Sequence, residues 1–125
     1  MFAAPAGAWE LWDQFKATNL TPEGRVVDYS EAKLITTSEG QSYGMFFALV
    51  ANDKKAFDEM FAWTEKNLGE NQPAWLWGIP DGKPNGTGKI LDTNNATDSD
   101  MWIAYCLIEA ARIWNDPLTF RRLTV

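Results

Sequence analysis

Four segments of the sequence repeat their apolar residues at the spacing of an α-helix, and this repeat restricts the chain to a mainly helical fold. The segments cover approximately residues 8–18, 39–51, 53–68 and 98–114. Within each segment the apolar side chains recur every three or four positions, which places them on one side of a helix. We therefore predict four amphipathic helices and an all-α fold class.

The spacing also predicts which side chains of each helix face a core. These are Trp9, Trp12 and Phe15 on the first helix, Tyr43, Phe46, Phe47 and Val50 on the second, Phe57, Met60, Phe61 and Thr64 on the third, and Ile103, Leu107, Ala110 and Trp114 on the fourth. The apolar faces of these four helices need more neighbouring helices to pack against than a chain of 125 residues supplies. We therefore expect residues 1–125 to form a single, partial domain, whose exposed apolar helix faces favour self-association.

The segment between the third and fourth helices, residues 69–98, is too long for an ordinary connection. A loop of this length in a compact domain usually serves a function or is disordered. Alternation along the sequence would put Trp75 and Trp77 on one side of an extended segment, and turn-forming residues follow at 80–82 and 85–86. We predict a long loop that contains a short extended piece or hairpin.

The residue counts exclude several kinds of chemistry. The chain has no histidine and one cysteine, so it contains no Ser-His-Asp or Cys-His catalytic arrangement and no histidine zinc site. Acid and base catalysis would have to come from carboxylates. We expect no cofactor and no metal ion. Seven tryptophans stand above the usual share, and their rings either stack on sugars or fill a helical core.

The charges argue against two classes of partner. The 11 basic and 17 acidic residues give a net charge of -6, and the basic residues are scattered along the chain. We therefore expect no nucleic acid and no anionic membrane surface as a partner. No apolar run reaches the roughly 20 residues that span a bilayer. The first residues do not have the pattern of a signal peptide, although "APAGA" is typical of the small residues near a signal cleavage site.

Glu39 lies at the predicted start of the second helix, where it has two alternative roles. In a capping box formed by Thr36 and Glu39, the carboxylate would bind the backbone of its own cap. In a box formed by Ser38 and Gln41, the glutamine would do this and Glu39 would be free. The spacing alone leaves both alternatives open.

Gly40 and Gly44 support a functional interpretation of this helix start. Each glycine lowers helix stability by about 1 kcal/mol, so two of them need a reason such as close packing or room for a ligand. A helix N-terminus favours an ionised carboxylate. A general acid at Glu39 would therefore need burial or a neighbouring carboxylate to hold its proton.

A second acidic pair, Asp98 and Asp100, lies at the predicted start of the fourth helix. One aspartate at this position is commonly an N-cap, which contributes about 1 kcal/mol. One cap does not explain both residues. Asp100 shares a helix face with Ile103 and Leu107, so it would point toward the packed side, where an unpaired carboxylate is costly.

Three sequence blocks together resemble a known family. They are "ITTSEGQSYGMFFALVAND", "PAWLWG" and "ATDSDMWIAYCLIEAARIW", and they resemble, in order and spacing, the glycoside hydrolase family 8 endoglucanases, including the periplasmic cellulases of bacterial cellulose synthesis operons. The resemblance extends from about Trp9 to Trp114. The third block follows the family signature, in which Ser99 replaces an alanine or glycine and Cys106 replaces a serine or alanine.

The resemblance implies hydrolysis of internal β-1,4 bonds of cellulose or a related β-glucan, with inversion, by a periplasmic or secreted enzyme. The implied fold is an (α/α)6 barrel, of which this chain would hold about four helices as the N-terminal portion. By the same resemblance Glu39 is the general acid, and Asp98 distorts the sugar or is assigned as nucleophile. The implied substrate-binding residues are Tyr43, Trp75, Trp77, Gln41 and Asp100. The catalytic base of the family lies downstream of these blocks, so the alternative is a non-catalytic glucan-binding or interaction fragment.

Overall fold

A computed structural model describes residues 6–70 and 72–115, with side chains from residue 10 onward. It contains helices α1 (Ala6–Asn19), α2 (Ser38–Val50), α3 (Lys54–Leu68) and α4 (Thr97–Trp114). The four predicted helices are confirmed, and each end lies within two residues of its prediction. The predicted core position of the Trp9 side chain lies outside the described residues.

A small antiparallel sheet accompanies the helices, so an all-α class is not confirmed. Its order is β1 (Thr36–Thr37), β2 (Ala74–Gly78) and β3 (Lys89–Asn95). Strands β2 and β3 form the hairpin predicted between the third and fourth helices. Their pairing shifts register twice within β2, which interrupts the alternation that was expected to place Trp75 and Trp77 on one side.

The core lies between α2, α3 and α4. The predicted face of α3 is confirmed, since Phe57, Met60, Phe61 and Thr64 are all buried. The predicted face of α4 is also confirmed: Ile103, Leu107 and Ala110 are buried, and Trp114 is partly buried against the core. On α1, Trp12 is buried and Phe15 stacks on it with ring centroids 5.6 Å apart.

The predicted apolar face of α2 is only partly correct: Phe46 packs against the core, but two of the other predicted residues do not. Tyr43 and Phe47 are 50% and 49% exposed. The buried residues of α2 are Ser38, Gln41, Ser42, Gly44, Met45, Ala48 and Leu49. Hydrophobicity could not identify this face because more than half of its buried residues are polar residues or a glycine.

Helices α2 and α4 run side by side in the same direction. At their C-terminal ends the Trp114 indole N–H donates to the Asn52 side chain at 2.8 Å. Farther toward the N-termini, the rings of Phe46 and Trp102 lie 5.2 Å apart. Their N-terminal turns are consequently neighbours, and each of these turns carries one of the acidic motifs.

Candidate active site

Helix α2 begins directly after strand β1, and Thr37 is its N-cap. The Thr37 hydroxyl accepts a hydrogen bond from the Gly40 backbone N–H at 3.0 Å. Neither predicted capping box forms: Thr36 instead donates to the Val26 carbonyl at 2.7 Å. Glu39 is therefore the second residue of the helix, exposed to solvent and not required for capping.

Gln41 is a structural residue, which contradicts the predicted contact with substrate. Its side chain is 0% exposed. The side-chain oxygen accepts from the Val26 N–H at 2.7 Å. The side-chain nitrogen donates to Gly24 O at 3.0 Å, Met60 O at 3.1 Å and the Thr64 hydroxyl at 3.0 Å. These bonds occupy its polar atoms, so none remains for a sugar.

Helix α4 begins without a side-chain cap. Its N-cap residue is Ala96 and no side-chain cap hydrogen bond is made, so the interpretation of Asp98 as an N-cap is wrong. Asp98 is instead the second residue of α4, the position that Glu39 holds in α2. The first turns of two adjacent, parallel helices thus each present one exposed carboxylate.

Asp100 connects the end of the sheet to α4. One of its carboxylate oxygens accepts from the Asn95 side chain at 2.8 Å. The other is buried and has no hydrogen-bond partner among the described residues. This position agrees with the prediction that Asp100 points toward packed structure.

An open cleft of about 90 Å³ lies between the first turns of α2 and α4. Its lining consists of Glu39, Ser42, Tyr43, Asp98, Ser99 and Trp102. The cleft brings together three of the predicted site residues, Glu39, Tyr43 and Asp98. Its other lining residues, Ser42, Ser99 and Trp102, were not predicted, although Ser42 lies one helical turn after Glu39 and Trp102 lies one turn after Asp98.

The chemistry of the lining favours a neutral ligand rich in hydroxyl groups. Two carboxylates repel anions, and they can accept hydrogen bonds from hydroxyls. The rings of Tyr43 and Trp102 supply flat apolar surface. Trp102 is held in place by Tyr105, stacked at 5.2 Å, and by Phe46.

The two tryptophans of β2 lie outside this cleft and differ from each other. Trp77 is half-buried, with its ring edge-on to Trp63 at 5.2 Å and the Arg25 guanidinium over it at 4.7 Å. Trp75 is 36% exposed. The pKa of the Asp92 carboxyl is lowered by a hydrogen bond from the Asn94 backbone N–H, the larger cause, and by one from the Trp75 side chain. Trp77 therefore packs the sheet on the helices, whereas Trp75 presents part of its ring to solvent.

The described residues form neither a metal-binding cluster nor a membrane-spanning helix. The part of the chain that is described contains no group of three or more Cys, Asp or Glu residues that could hold a metal ion. None of its described helices is both long enough and apolar enough to cross a membrane.

Known bacterial enzymes are similar to this chain over most of its length. An Escherichia coli (strain K12) endoglucanase is 51% identical over 116 residues, which are 89% of this chain and 31% of that protein. A Pseudomonas fluorescens endoglucanase is 44% identical over 94% of this chain and 31% of its own length. The chain thus spans about a third of the length of the curated relatives it matches.

Solved structures have the same fold in the matched part. The endo-1,4-D-glucanase from Vibrio fischeri superposes with a TM-score of 0.81 at 51% identity, covering 91% of this chain and 33% of that one. The endo-β-1,4-glucanase from Acetobacter xylinum gives 0.77 at 34% identity, covering 96% and 37%. Residues 1–123 match the glycosyl hydrolases family 8. On the family match and on these similarities, the chain belongs to glycosyl hydrolase family 8.

Proposed function

We propose that this chain is the N-terminal portion of a family 8 catalytic domain that hydrolyses internal β-1,4 bonds of cellulose or a related β-glucan. The relatives that it matches over about nine-tenths of its length are named endoglucanases. The remaining helices of an (α/α)6 barrel would belong to the two-thirds of those relatives that this chain does not match. A periplasmic or secreted location accords with this substrate.

One observation carries the proposal: Glu39 and Asp98 start parallel helices and line the same cleft. Glu39 is the general acid, which gives its proton to the oxygen of the leaving sugar. Its side chain is not used in capping, so its position in the cleft is free for this role. A positioned general acid of this kind typically accelerates a reaction by a factor of about 10² to 10⁴.

Asp98 is the second carboxylate of the proposed site. It binds and distorts the sugar at the bond to be cleaved, and Tyr43 gives the sugar ring an apolar surface. Inversion also needs a base that activates water from the opposite side, with the two carboxyls about 6.5 to 9.5 Å apart. We assign this base to the part of the family 8 domain that corresponds to the unmatched two-thirds of the relatives.

The other predicted binding residues have different roles. Trp75, which is partly exposed, is a sugar platform beyond the cleft. Trp77 supports the sheet through Trp63 and Arg25. Asp100 positions the start of α4 through Asn95.

The test compares reducing-end release from carboxymethyl cellulose by the native chain, Glu39→Gln and Glu10→Gln. Glu10 is an exposed glutamate of α1 outside the cleft, so its substitution controls for the loss of one charge. We expect whatever activity the native chain has to fall by at least about 100-fold in Glu39→Gln and to persist in Glu10→Gln. Turnover that survives in Glu39→Gln would refute its role as the acid.

A second candidate function is a non-catalytic glucan-binding fragment. The exposed rings of Tyr43 and Trp75 favour it, because they can bind sugars without a catalytic base. Sedimentation with amorphous cellulose distinguishes it: binding without turnover, lost in Trp75→Ala and kept in Glu39→Gln, would support this candidate. Turnover by the native chain would exclude it.

A further inference from the structure

Trp102 differs from the other described tryptophans because it lines the cleft. It belongs to the α4 side of the cleft, where it follows Asp98 by four residues. On the α2 side, Tyr43 follows Glu39 by the same four residues. Since residues four apart share one face of a helix, each side of the cleft combines one carboxylate with one aromatic ring.

The indole N–H of Trp102 has no hydrogen-bond partner among the described residues, although it is buried. Other tryptophans of the chain do have one, since Trp12 donates to Asp53 and Trp114 donates to Asn52. A buried donor without an acceptor is unfavourable, so its presence needs an explanation. A phenylalanine would avoid this cost, and local costs in stability are typical of functional sites.

Packing holds the Trp102 ring in one position. Tyr105 stacks on it, with ring centroids 5.2 Å apart and planes inclined by 19°. The Phe46 ring of α2 lies 5.2 Å away. The Trp102 side chain nevertheless remains partly exposed. A ring that is already held loses little freedom when a ligand packs on it, which favours affinity.

The lining around this ring indicates which ligand would contact it. The carboxylates of Glu39 and Asp98 disfavour an anion, and they can accept hydrogen bonds from hydroxyl groups. The flat face of an indole suits the C–H faces of a sugar ring. A sugar in the cleft can therefore pack on Trp102 while its hydroxyl groups bind the carboxylates.

We propose that Trp102 is a substrate-contacting residue, and that a sugar ring of the bound β-glucan packs on its indole. The inference rests on the proposed function, because it requires the cleft to bind glucan. It adds an aromatic contact on the α4 side of the cleft to the contact that Tyr43 gives on the α2 side.

The first test is isothermal titration of cellotetraose into the native chain, Trp102→Leu and Trp102→Phe. Loss of the aromatic face corresponds to a weakening of binding by about three- to tenfold in Trp102→Leu. Trp102→Phe keeps an aromatic ring beside Tyr105, so its binding should be weaker by less than about twofold. Native binding by Trp102→Leu, or equal weakening in the two variants, would overturn the proposal.

Trp114→Leu is the matched control. Trp114 lies at the other end of α4, and its ring also packs on another ring, Phe57 at 5.3 Å, but it does not line the cleft. Loss of its hydrogen bond to Asn52 should lower the midpoint of thermal unfolding, whereas its affinity for cellotetraose should equal that of the native chain. Weakening as large as that in Trp102→Leu would contradict a specific contact.

A second measurement uses the native chain, so it does not depend on the folding of any variant. In nitrogen–proton NMR spectra, the assigned indole signal of Trp102 should shift when cellotetraose is added, and that of Trp114 should not. A Trp102 signal that does not move in a chain that binds cellotetraose would overturn the Trp102 contact and leave glucan binding intact. An absence of cellotetraose binding by the native chain would overturn both this inference and the proposed function.

Discussion

Gln41 illustrates how one side chain can fix the position of a catalytic candidate without touching a ligand. It lies two residues after Glu39, and its amide binds the backbone of the segment before the sheet and of α3. Gly24 is part of this contact, because its φ of +98° and the Glu59 carbonyl leave no room for a side chain. The start of α2 is thus attached to two other parts of the fold.

We expect Gln41→Met to destabilise the fold strongly. The substitution keeps approximate length but leaves the Val26 N–H and the Gly24 carbonyl without their Gln41 partner, and each buried group left unpaired costs about 1 to 3 kcal/mol. The free energy of unfolding in urea, followed by tryptophan fluorescence, should fall by roughly 3 kcal/mol or more. Gln14→Met, at an exposed position of α1, should change it by less than about 0.5 kcal/mol. A loss below about 1 kcal/mol in Gln41→Met would contradict this account.

For individual residues, the sequence predicted the two carboxylates that line the cleft but not the function of their neighbours. Acidic residues at helix starts stand out in a chain without histidine, but spacing alone left Glu39 and Asp98 as possible caps, and the family resemblance supplied their roles in the site. Local spacing assigned Gln41 to capping, and the resemblance assigned it to substrate. Its actual partners lie 15 to 23 residues away along the chain, and no local pattern reveals them.

At the scale of elements, Asp53 joins α1 to α3. It is the N-cap of α3, where one carboxylate oxygen accepts from the Ala56 N–H at 3.1 Å. The other oxygen accepts from the Trp12 indole at 3.1 Å and from Lys16 at 2.9 Å. A single side chain therefore caps one helix and holds another against it.

This arrangement predicts a pH-dependent contribution to stability. Burial of Asp53 acts to raise its pKa, but the hydrogen bonds from Lys16, Ala56 and Trp12 outweigh burial and lower the pKa below the usual 3.8. A carboxyl whose folded pKa is lowered stabilises the fold above its unfolded pKa, and this stabilisation is lost as pH falls through the folded value. The loss should therefore occur below about pH 4.

We expect Asp53→Asn to lower the free energy of unfolding by roughly 1 kcal/mol at pH 7, because asparagine still caps α3 but carries no charge for Lys16. The difference from the native chain should shrink below about pH 4, where the native carboxyl also becomes neutral. Urea unfolding of both proteins at a series of pH values measures this difference in the free energy of unfolding. Asp13→Asn is the control, since Asp13 is 73% exposed and 3.9 Å from Lys16. A difference that persists unchanged in acid would exclude this explanation.

The elements themselves were largely predictable. Four helices followed from apolar periodicity, and a glycine, Gly69, stands at the C-terminal end of α3. Strand β1 could not be predicted, because its two residues form a strand only by pairing with Leu76 and Trp77. That pairing places Thr37 at the start of α2, so it also decides which residue caps the helix.

At the scale of the molecule, α4 carries an apolar stripe on its outer side. Met101, Tyr105 and Ile108 are 68%, 45% and 53% exposed, and their spacing of four and three residues puts them on one face. Exposed apolar stripes of this kind are typical of surfaces that bind another protein segment. The curated relatives are about three times as long as this chain, which is consistent with a surface that a longer chain covers.

We expect the chain to self-associate through this stripe when it is studied alone. Its apparent mass in size-exclusion chromatography with light scattering should rise with concentration, and the double substitution Met101→Lys and Ile108→Lys should keep it monomeric. The two added lysines make the net charge of -6 less negative, and this smaller charge by itself would weaken repulsion between copies and favour association. Ala17→Lys and Ala62→Lys, at exposed positions of α1 and α3, make the same change of charge away from the stripe. If the control pair associates like the native chain while the stripe variant does not, the apolar contact drives association. A native chain that is monomeric at every concentration would contradict the prediction.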